Sequence, residues 1–124
     1  MADLNYVLLA VKDPQKSAAI YDHVLGVKRV EDSPTFVLYV LDNGIKVGLW
    51  SAREVKPTPR PAGGVELSFS LPDDKAVRDT YAAWTKLGLS VVQEPTHLDF
   101  GFTFVVADPD GHRLRPFALA EDPR

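Results

Sequence analysis

Residues 6–26 have the sequence YVLLAVKDPQKSAAIYDHVLG, in which strand, helix and helix-stop signals follow one another directly. Apolar residues run through 4–11 and predict a strand that is covered on both faces. The Asp-Pro pair at 13–14 supplies an N-cap and a favoured first helical residue, and Gly26 supplies a left-handed stop. The stretch therefore predicts a strand followed by an α-helix over 14–25.

Strand-like stretches follow this helix near 27–31, 35–41 and 45–50. The sequence Asp-Asn-Gly at 42–44 is a strong hairpin signal between the last two. Residues 52–64 contain three prolines and two glycines with little periodicity, which is typical of a linker. Together these elements predict one βαβββ module over residues 4–51.

The same order of elements returns after the linker. The sequence predicts a strand over 65–71, a helix opened by Pro72-Asp73 and closed by Leu87-Gly88, and three further strands near 89–93, 102–106 and 112–117. We therefore expect a single α+β domain over 1–124, with a second βαβββ module over 65–118.

Three residues that start or end elements recur in the second half of the chain and support a duplicated unit. The first helix cap, the first helix stop and the hairpin glycine recur at offsets of 60, 62 and 67 residues, as the pairs Asp13 and Asp73, Gly26 and Gly88, and Gly44 and Gly111. Offsets that grow slowly while the element order is kept indicate small insertions in a repeat.

Composition excludes several classes of protein. The net charge of −3 and the scattered cationic residues argue against nucleic-acid binding. The absence of cysteine excludes disulfides and thiolate metal sites. No apolar run approaches the length of a membrane span, and no leader-like segment opens the sequence. We therefore expect a soluble cytoplasmic protein that binds neither nucleic acid nor membrane.

The segments YVLLAVKDPQKSAAIYDHVLG, GLWS and EPTHLDFGFTFVVADPDGHRLRPF resemble the vicinal oxygen chelate superfamily, also called the glyoxalase/bleomycin resistance/dioxygenase superfamily. The resemblance covers nearly the whole chain and is closest to its phenazine and bleomycin antibiotic-resistance members. It implies two βαβββ modules that form a curved mixed sheet, or cup, with the helices on the outer face. It also implies a homodimer and, in the enzymes of the superfamily, a divalent metal.

Carried over position by position, the family's metal ligands correspond here to Tyr6, Gly48, Glu66 and Arg115. Only Glu66 is a competent ligand for a hard or borderline divalent ion, and a permanently cationic arginine would repel the metal. The three histidines offer no replacement, because the sequence places His23 in a helix, His97 in a loop and His112 in a turn. We therefore predict no metal, no cofactor and no catalytic residue.

Strand alternation assigns one face of the cup on each module. Tyr6, Gly48 and Trp50 share this face in the first module, and Glu66, Ser68, Ser70, Arg115 and Phe117 share it in the second. We expect Glu66 and Arg115 to form a guanidinium–carboxylate pair at the position of the lost metal.

Aromatic residues are the candidates for ligand contact. Trp50 lies two positions from Gly48, whose bare strand would let a flat molecule approach the backbone beside the indole. Phe100, Phe102 and Phe104 are expected to share one face, which alternation alone does not assign to helix or cup. Trp84 is expected in the core. The predicted ligand-binding residues are Tyr6, Trp50, Glu66, Ser68, Phe102, Arg115 and Phe117.

The leading hypothesis is a non-catalytic binding protein that sequesters a flat aromatic compound, such as a phenazine-like or bleomycin-like antibiotic. An acidic ligand would bind Arg115 and a basic one Glu66. The alternative is a metal-dependent glyoxalase or dioxygenase with a non-standard ligand set. A third possibility is a homodimeric scaffold or regulator without a small ligand.

Overall fold

The computed structural model describes residues 2–120 and confirms the α+β class and the two βαβββ modules. The chain divides into two compact units, Met1–Arg60 and Pro61–Arg124. Each unit holds one helix and one four-stranded mixed sheet of its own. The eight strands therefore hydrogen-bond as two sheets, each complete within one module.

The first unit contains five elements, which follow the predicted order closely: β1 (Tyr6–Val11), α1 (Pro14–Leu25), β2 (Arg29–Asp32), β3 (Phe36–Val40) and β4 (Lys46–Ser51). The Asp13 side chain accepts hydrogen bonds from the backbone N–H groups of Gln15 and Lys16 and so caps α1. Gly26 ends the helix with a φ of 67°, a conformation that glycine adopts without strain.

The strands of the first sheet are ordered β1-β4-β3-β2, with β1 parallel to β4 and the other pairs antiparallel. The first core lies between this sheet and α1. This core consists of residues at alternate positions along the strands and of residues on one face of the helix. Examples are Val11, Tyr21, Val37, Tyr39 and Leu49. Burial of this apolar surface is the main stabilising contribution to the unit.

The second unit repeats the pattern with β5 (Glu66–Ser70), α2 (Asp74–Trp84), β6 (Ser90–Leu98), β7 (Gly101–Ala107) and β8 (Arg113–Leu119). Its strand order is β5-β8-β7-β6. Trp84 on α2 packs edge-to-face against Phe69 and Phe104, with ring centroids 5.1 and 5.9 Å away. Only 7% of Trp84 is exposed, so its predicted place in the core is confirmed.

Strand β6 is longer than predicted. It extends to Leu98 instead of ending near residue 93, and His97 therefore lies in a strand rather than in the predicted loop. His97 pairs with Phe102 on β7, beyond two register shifts, of which the second lies between Gln93 and Thr96 and so includes Pro95. The irregular register on an edge strand accommodates a proline, which has no N–H to donate to a sheet.

Strand β1 is buried on one face only, whereas its sequence predicts cover on both. Leu9 and Val11 point to the face on which α1 packs against β3 and β4, and they are buried. Tyr6 and Leu8, which point to the other face, remain 38% and 52% exposed. The sheet therefore presents an apolar surface that α1 does not cover.

Neither helix of the described chain is long and apolar enough to cross a membrane; they have 12 and 11 residues.

Candidate functional site

Each sheet has one face packed against the helix of its own unit and one opposite face, which we call the first open face and the second open face. Cα pairing across β5, β8 and β7 places the side chains of the second open face side by side. In-register partners on neighbouring strands point to the same face of a sheet. The second open face carries Glu66, Ser68, Ser70, Thr103, Arg113, Arg115 and Phe117.

Glu66 and Arg115 form the predicted pair. Arg115 donates from Nε to Glu66 Oε1 at 2.7 Å and from Nη2 to Oε2 at 3.2 Å. This two-point geometry is the strong form of a guanidinium–carboxylate interaction. The hydrogen bond from Arg115 holds the pKa of Glu66 below its ordinary value, although partial burial acts in the opposite direction.

Further polar groups fix the Arg115 guanidinium. Its Nη1 lies 3.3 Å from Oε1 of Gln93 and 3.4 Å from Oγ1 of Thr103. The Thr103 hydroxyl in turn donates to the Pro116 carbonyl at 2.8 Å. Arg115 is therefore held from three strands, and its side chain is only 17% exposed.

A second arginine shares the same carboxylate. Nη2 of Arg113 lies 2.7 Å from Oε2 of Glu66, and the Arg113 side chain is 34% exposed. Two guanidinium groups thus face one carboxylate on the second open face. This part of the sheet carries a net positive charge, although the chain as a whole is acidic.

An aromatic pair lies on the same face. Phe117 is two residues beyond Arg115 on β8, and its ring meets that of Phe100 edge-to-face with centroids 6.2 Å apart. Phe100 belongs to the turn between β6 and β7 and is 38% exposed. The predicted polar residues Ser68 and Ser70 are also exposed on this face.

Phe102 lies on the other face of the sheet. Its ring is buried beneath the Arg78 guanidinium of α2, 4.5 Å from ring centroid to Cζ, and beside His97. Alternation explains the placement, because the adjacent Thr103 points towards Arg115. The expectation that Phe100, Phe102 and Phe104 share one face is wrong for Phe100, and the structure does not bring Phe102 together with Arg115.

The first open face is mainly apolar. Register pairs Leu8 with Gly48 and Ala10 with Trp50, with Leu38 and Phe36 on the next strand. Gly48 is not bare, because the Leu8 and Phe36 side chains lie over it; a Cβ placed there would be 2.9 Å from each. Trp50 is half-buried beside Phe36. The bare Gly48 backbone that the sequence predicts is therefore covered by the Phe36 ring.

The residues at the four family metal positions do not fit a metal ion. Gly48 offers no side chain, Arg115 is cationic, and both oxygens of Glu66 are occupied by arginines. The pKa of Tyr6 is raised, mainly by partial burial and to a smaller extent by the nearby negative charge of Glu31. The neutral phenol of Tyr6 is therefore favoured. Within residues 2–120, no three histidine, aspartate or glutamate side chains are grouped in a way that could hold an ion.

A hydrogen-bonded network of charged groups in the first unit lies on the helix side of the sheet. Arg29 donates from Nη2 to Asp22 Oδ2 at 2.9 Å, and the Tyr39 hydroxyl donates to Asp22 Oδ1 at 2.7 Å. The hydrogen bond from Arg29 lowers the pKa of Asp22, and burial raises that of Tyr39. This network holds α1 against β2 and β3 and so stabilises the first unit.

Four residues on or beside the second open face are absent from the predicted ligand contacts: Gln93, Phe100, Thr103 and Arg113. Alternation with Arg115 was a sufficient signal for Arg113. No comparable signal exists for Gln93 or Phe100, because a register shift and a turn set their directions.

One relative of this chain is named as a resistance protein. The sequence profile of the Glyoxalase/Bleomycin resistance protein/Dioxygenase superfamily matches residues 3–115. The phenazine antibiotic resistance protein EhpR of Enterobacter agglomerans is 28% identical over 114 residues, which cover 90% of this chain and 88% of that protein.

Solved structures show the same fold. The solution NMR structure of protein ATC0852 from Agrobacterium tumefaciens is 44% identical, with a TM-score of 0.89 over 98% of this chain and all of that one. A glyoxalase-related enzyme from Fulvimarina pelagi, 20% identical, superposes with a TM-score of 0.84 over 95% of this chain and 88% of its own. The duplicated βαβββ modules and the profile match together establish that this chain belongs to the glyoxalase/bleomycin resistance protein/dioxygenase superfamily.

Proposed function

We propose that this protein binds and sequesters a flat aromatic small molecule without changing it chemically. The observation that carries the proposal is the second open face, where a fixed arginine–glutamate cluster adjoins the Phe100–Phe117 ring pair. Small-molecule sites commonly combine apolar and aromatic contact area with a few fixed polar groups that orient the ligand.

The rings supply contact area for such a ligand. An aromatic compound placed against Phe117 gains apolar burial and an offset or edge-to-face ring contact, together worth about 1–3 kcal/mol. The guanidinium plane of Arg115 adds a second flat surface, since arginine also stacks on aromatic rings. Ser68 is exposed on the neighbouring strand and provides a hydroxyl within the same face.

The first open face offers a separate aromatic surface. Trp50 and Phe36 lie on adjacent strands, in register, and Tyr6 is exposed nearer the start of β1. We expect a flat ligand to stack on the Trp50 indole and to displace the Phe36 ring from its position over Gly48.

The relatives support this ligand class. EhpR is named as a phenazine antibiotic resistance protein, and phenazines are flat, fused-ring aromatic compounds. The misfit of the metal positions supports binding rather than metal-dependent chemistry, because their side chains do not provide a ligand set.

Tryptophan fluorescence tests the Trp50 contact. The chain has two tryptophans, so Trp84→Phe leaves Trp50 as the sole reporter and Trp50→Phe leaves the core Trp84. Titration with phenazine and related fused-ring compounds should quench the Trp50-only protein saturably and the Trp84-only protein weakly. Equal quenching of both variants would contradict contact at Trp50.

Calorimetric titration tests the second open face separately. Phe117→Ala should weaken binding of the same compounds by about tenfold, the usual cost of losing an aromatic contact. Val92→Ala removes an exposed apolar side chain from the edge strand β6 and serves as the matched control. Unchanged affinity in Phe117→Ala would exclude this face, and recovery of a chemically altered compound after incubation would exclude simple sequestration.

The proposal includes a homodimer in the cytoplasm. A dimer is supported by the exposed apolar residues of the first open face, since Leu8 and Val40 would gain from further burial. Sedimentation equilibrium should give twice the 13.7 kDa of one chain. A monomer at all accessible concentrations would contradict the dimer.

A further inference from the structure

The second open face carries more positive charge than its own residues neutralise. Arg113 and Arg115 share the one carboxylate of Glu66, which leaves one unmatched positive charge beside the Phe117 ring. Buried or half-buried charges in proteins are normally paired. The imbalance therefore indicates a position for one negative charge that the face itself does not supply.

The two arginines differ in how far the protein uses them. Arg115 is engaged through all three nitrogens, by Glu66, Gln93 and Thr103. Arg113 forms its ion pair with Glu66 through Nη2, and its Nε is buried without a hydrogen-bond partner among residues 2–120. Its Nη1 is not buried and forms no hydrogen bond with those residues, so this nitrogen is open to a ligand. Arg113 is thus the arginine with hydrogen-bonding capacity to spare.

We propose that the guanidinium of Arg113 binds the carboxylate of an anionic aromatic ligand, with Glu66 as the residue that positions both arginines. This inference rests on the proposed function and specifies the chemical class of the ligand. It also moves the expected anion contact from Arg115, which the sequence favours, to its neighbour Arg113.

The shape of the face favours an aromatic monoanion. Arg113, Arg115 and Phe117 point the same way from β8, and the Cα atoms of the first and last are about 13–14 Å apart at strand geometry. A fused-ring acid is long enough to place its carboxylate on Arg113, its ring over the Arg115 plane and its far edge near Phe117. A planar carboxylate also matches the planar fork of a guanidinium.

A cationic ligand is disfavoured by the same contacts. Each oxygen of Glu66 already accepts from arginine, at 2.7 Å to Arg115 Nε and 2.7 Å to Arg113 Nη2. A basic compound would have to displace a guanidinium and would meet the remaining positive charge. The second open face therefore disfavours the binding of cationic aromatic compounds.

A matched set of ligands tests this assignment. Phenazine-1-carboxylic acid, which is ionised at neutral pH, and phenazine-1-carboxamide share one ring system and differ in charge. Isothermal titration of the full chain should show the acid binding at least about tenfold more tightly than the amide. Added salt should weaken binding of the acid and leave that of the amide unchanged.

Substitutions assign the preference to one residue. Arg113→Gln should abolish the acid-over-amide preference, because the acid loses far more affinity than the amide does. Arg113→Lys should retain part of the preference, because lysine keeps the charge but loses the fork. Lys86→Gln removes one positive charge just after α2, in the layer on the other side of the sheet, and should leave the preference intact. Thermal melting verifies that each variant is folded.

Three outcomes would overturn the inference. Equal binding of acid and amide, or a preference that survives Arg113→Gln, contradicts the anion contact but leaves the proposed function standing. If the protein binds none of the three compounds (the acid, the amide and unsubstituted phenazine), the proposed function is overturned, and this inference with it.

Discussion

Arg115 donates two hydrogen bonds to Glu66, a residue 49 positions earlier in the chain, and the pair joins β8 to β5 across the second open face. The pair is partly shielded from water, with side-chain exposures of 17% and 28%. Removing one partner of such a pair leaves a charge that is only partly solvated.

Glu66→Ala should therefore lower the free energy of unfolding. We expect a loss of about 1–3 kcal/mol, below the cost for a fully buried pair, because water reaches both side chains. Urea denaturation at neutral pH measures the change. Glu94→Ala, an exposed glutamate on β6, is the matched control and should stay within about 0.5 kcal/mol of the parent. Equal stability of the two variants would contradict the role of the pair.

Stability should fall in acid. Hydrogen bonds from arginines lower the pKa of Glu66 and of Asp22 below their ordinary values of 4.5 and 3.8. Because the pKa of each carboxyl is lower in the folded protein, the unfolded chain takes up protons first as the pH falls. The stabilisation is therefore complete above the pKa of the unfolded chain and is lost as the pH falls through the pKa of the folded protein. Denaturation curves between neutral pH and about pH 3 should show the loss.

The variants Glu66→Gln and Asp22→Asn each remove one titrating group. Each should be less stable than the parent at neutral pH and should lose less stability on acidification. An acid dependence of Glu66→Gln parallel to that of the parent would assign the effect to other carboxylates.

Tyr39→Phe should destabilise the first unit. The Tyr39 hydroxyl donates to Asp22 at 2.7 Å and lies 3.3 Å from the Ala18 carbonyl, in a fully buried position. Loss of the hydroxyl should cost about 1–2 kcal/mol in urea denaturation, because Asp22 loses a donor. Tyr6→Phe makes the same chemical change on the exposed first open face and should be nearly neutral.

Alanine should destabilise the protein by different amounts at two buried glycines. At Gly101, φ is 150°, and a Cβ would collide with the backbone carbonyl of Ala118, so Gly101→Ala should cost at least about 2 kcal/mol. At Gly48 the obstructing atoms belong to the Leu8 and Phe36 side chains on an open face, which can rotate away. Gly48→Ala should therefore cost less than about 1 kcal/mol. Comparable melting temperatures for the two variants would contradict this distinction.

Much of the fold is encoded in local signals. The Asp13 cap and the Gly26 stop act within a few residues, so the bounds of α1 were predictable from the sequence. The repeat then placed Glu66 and Arg115 on the same face of one sheet, because alternation along strands carries over between modules. The opposite charges of these two side chains were then sufficient to predict their ion pair.

Other features depend on contacts between distant segments. The extension of β6 past Pro95 requires irregular pairing with β7, which no local pattern signals. The ring of Phe36 covers Gly48 because two strands pair in one register, and Phe100 turns towards Phe117 because it sits in a turn rather than a strand. The unsatisfied Nε of Arg113 likewise emerges only when side chains are packed.

The two modules have placed their charged networks on opposite sides of equivalent sheets. In the first, Asp22, Arg29 and Tyr39 tie the helix to the strands; in the second, Glu66 and its two arginines lie away from the helix. The polar network of the first module therefore anchors its helix, whereas that of the second lies on a surface that the helix of its own module does not cover. Substitutions at positions 22, 29 and 39 therefore act on the helix–sheet layer of the first module, whereas substitutions at positions 113, 115 and 117 act on the side of the second sheet that its helix leaves open.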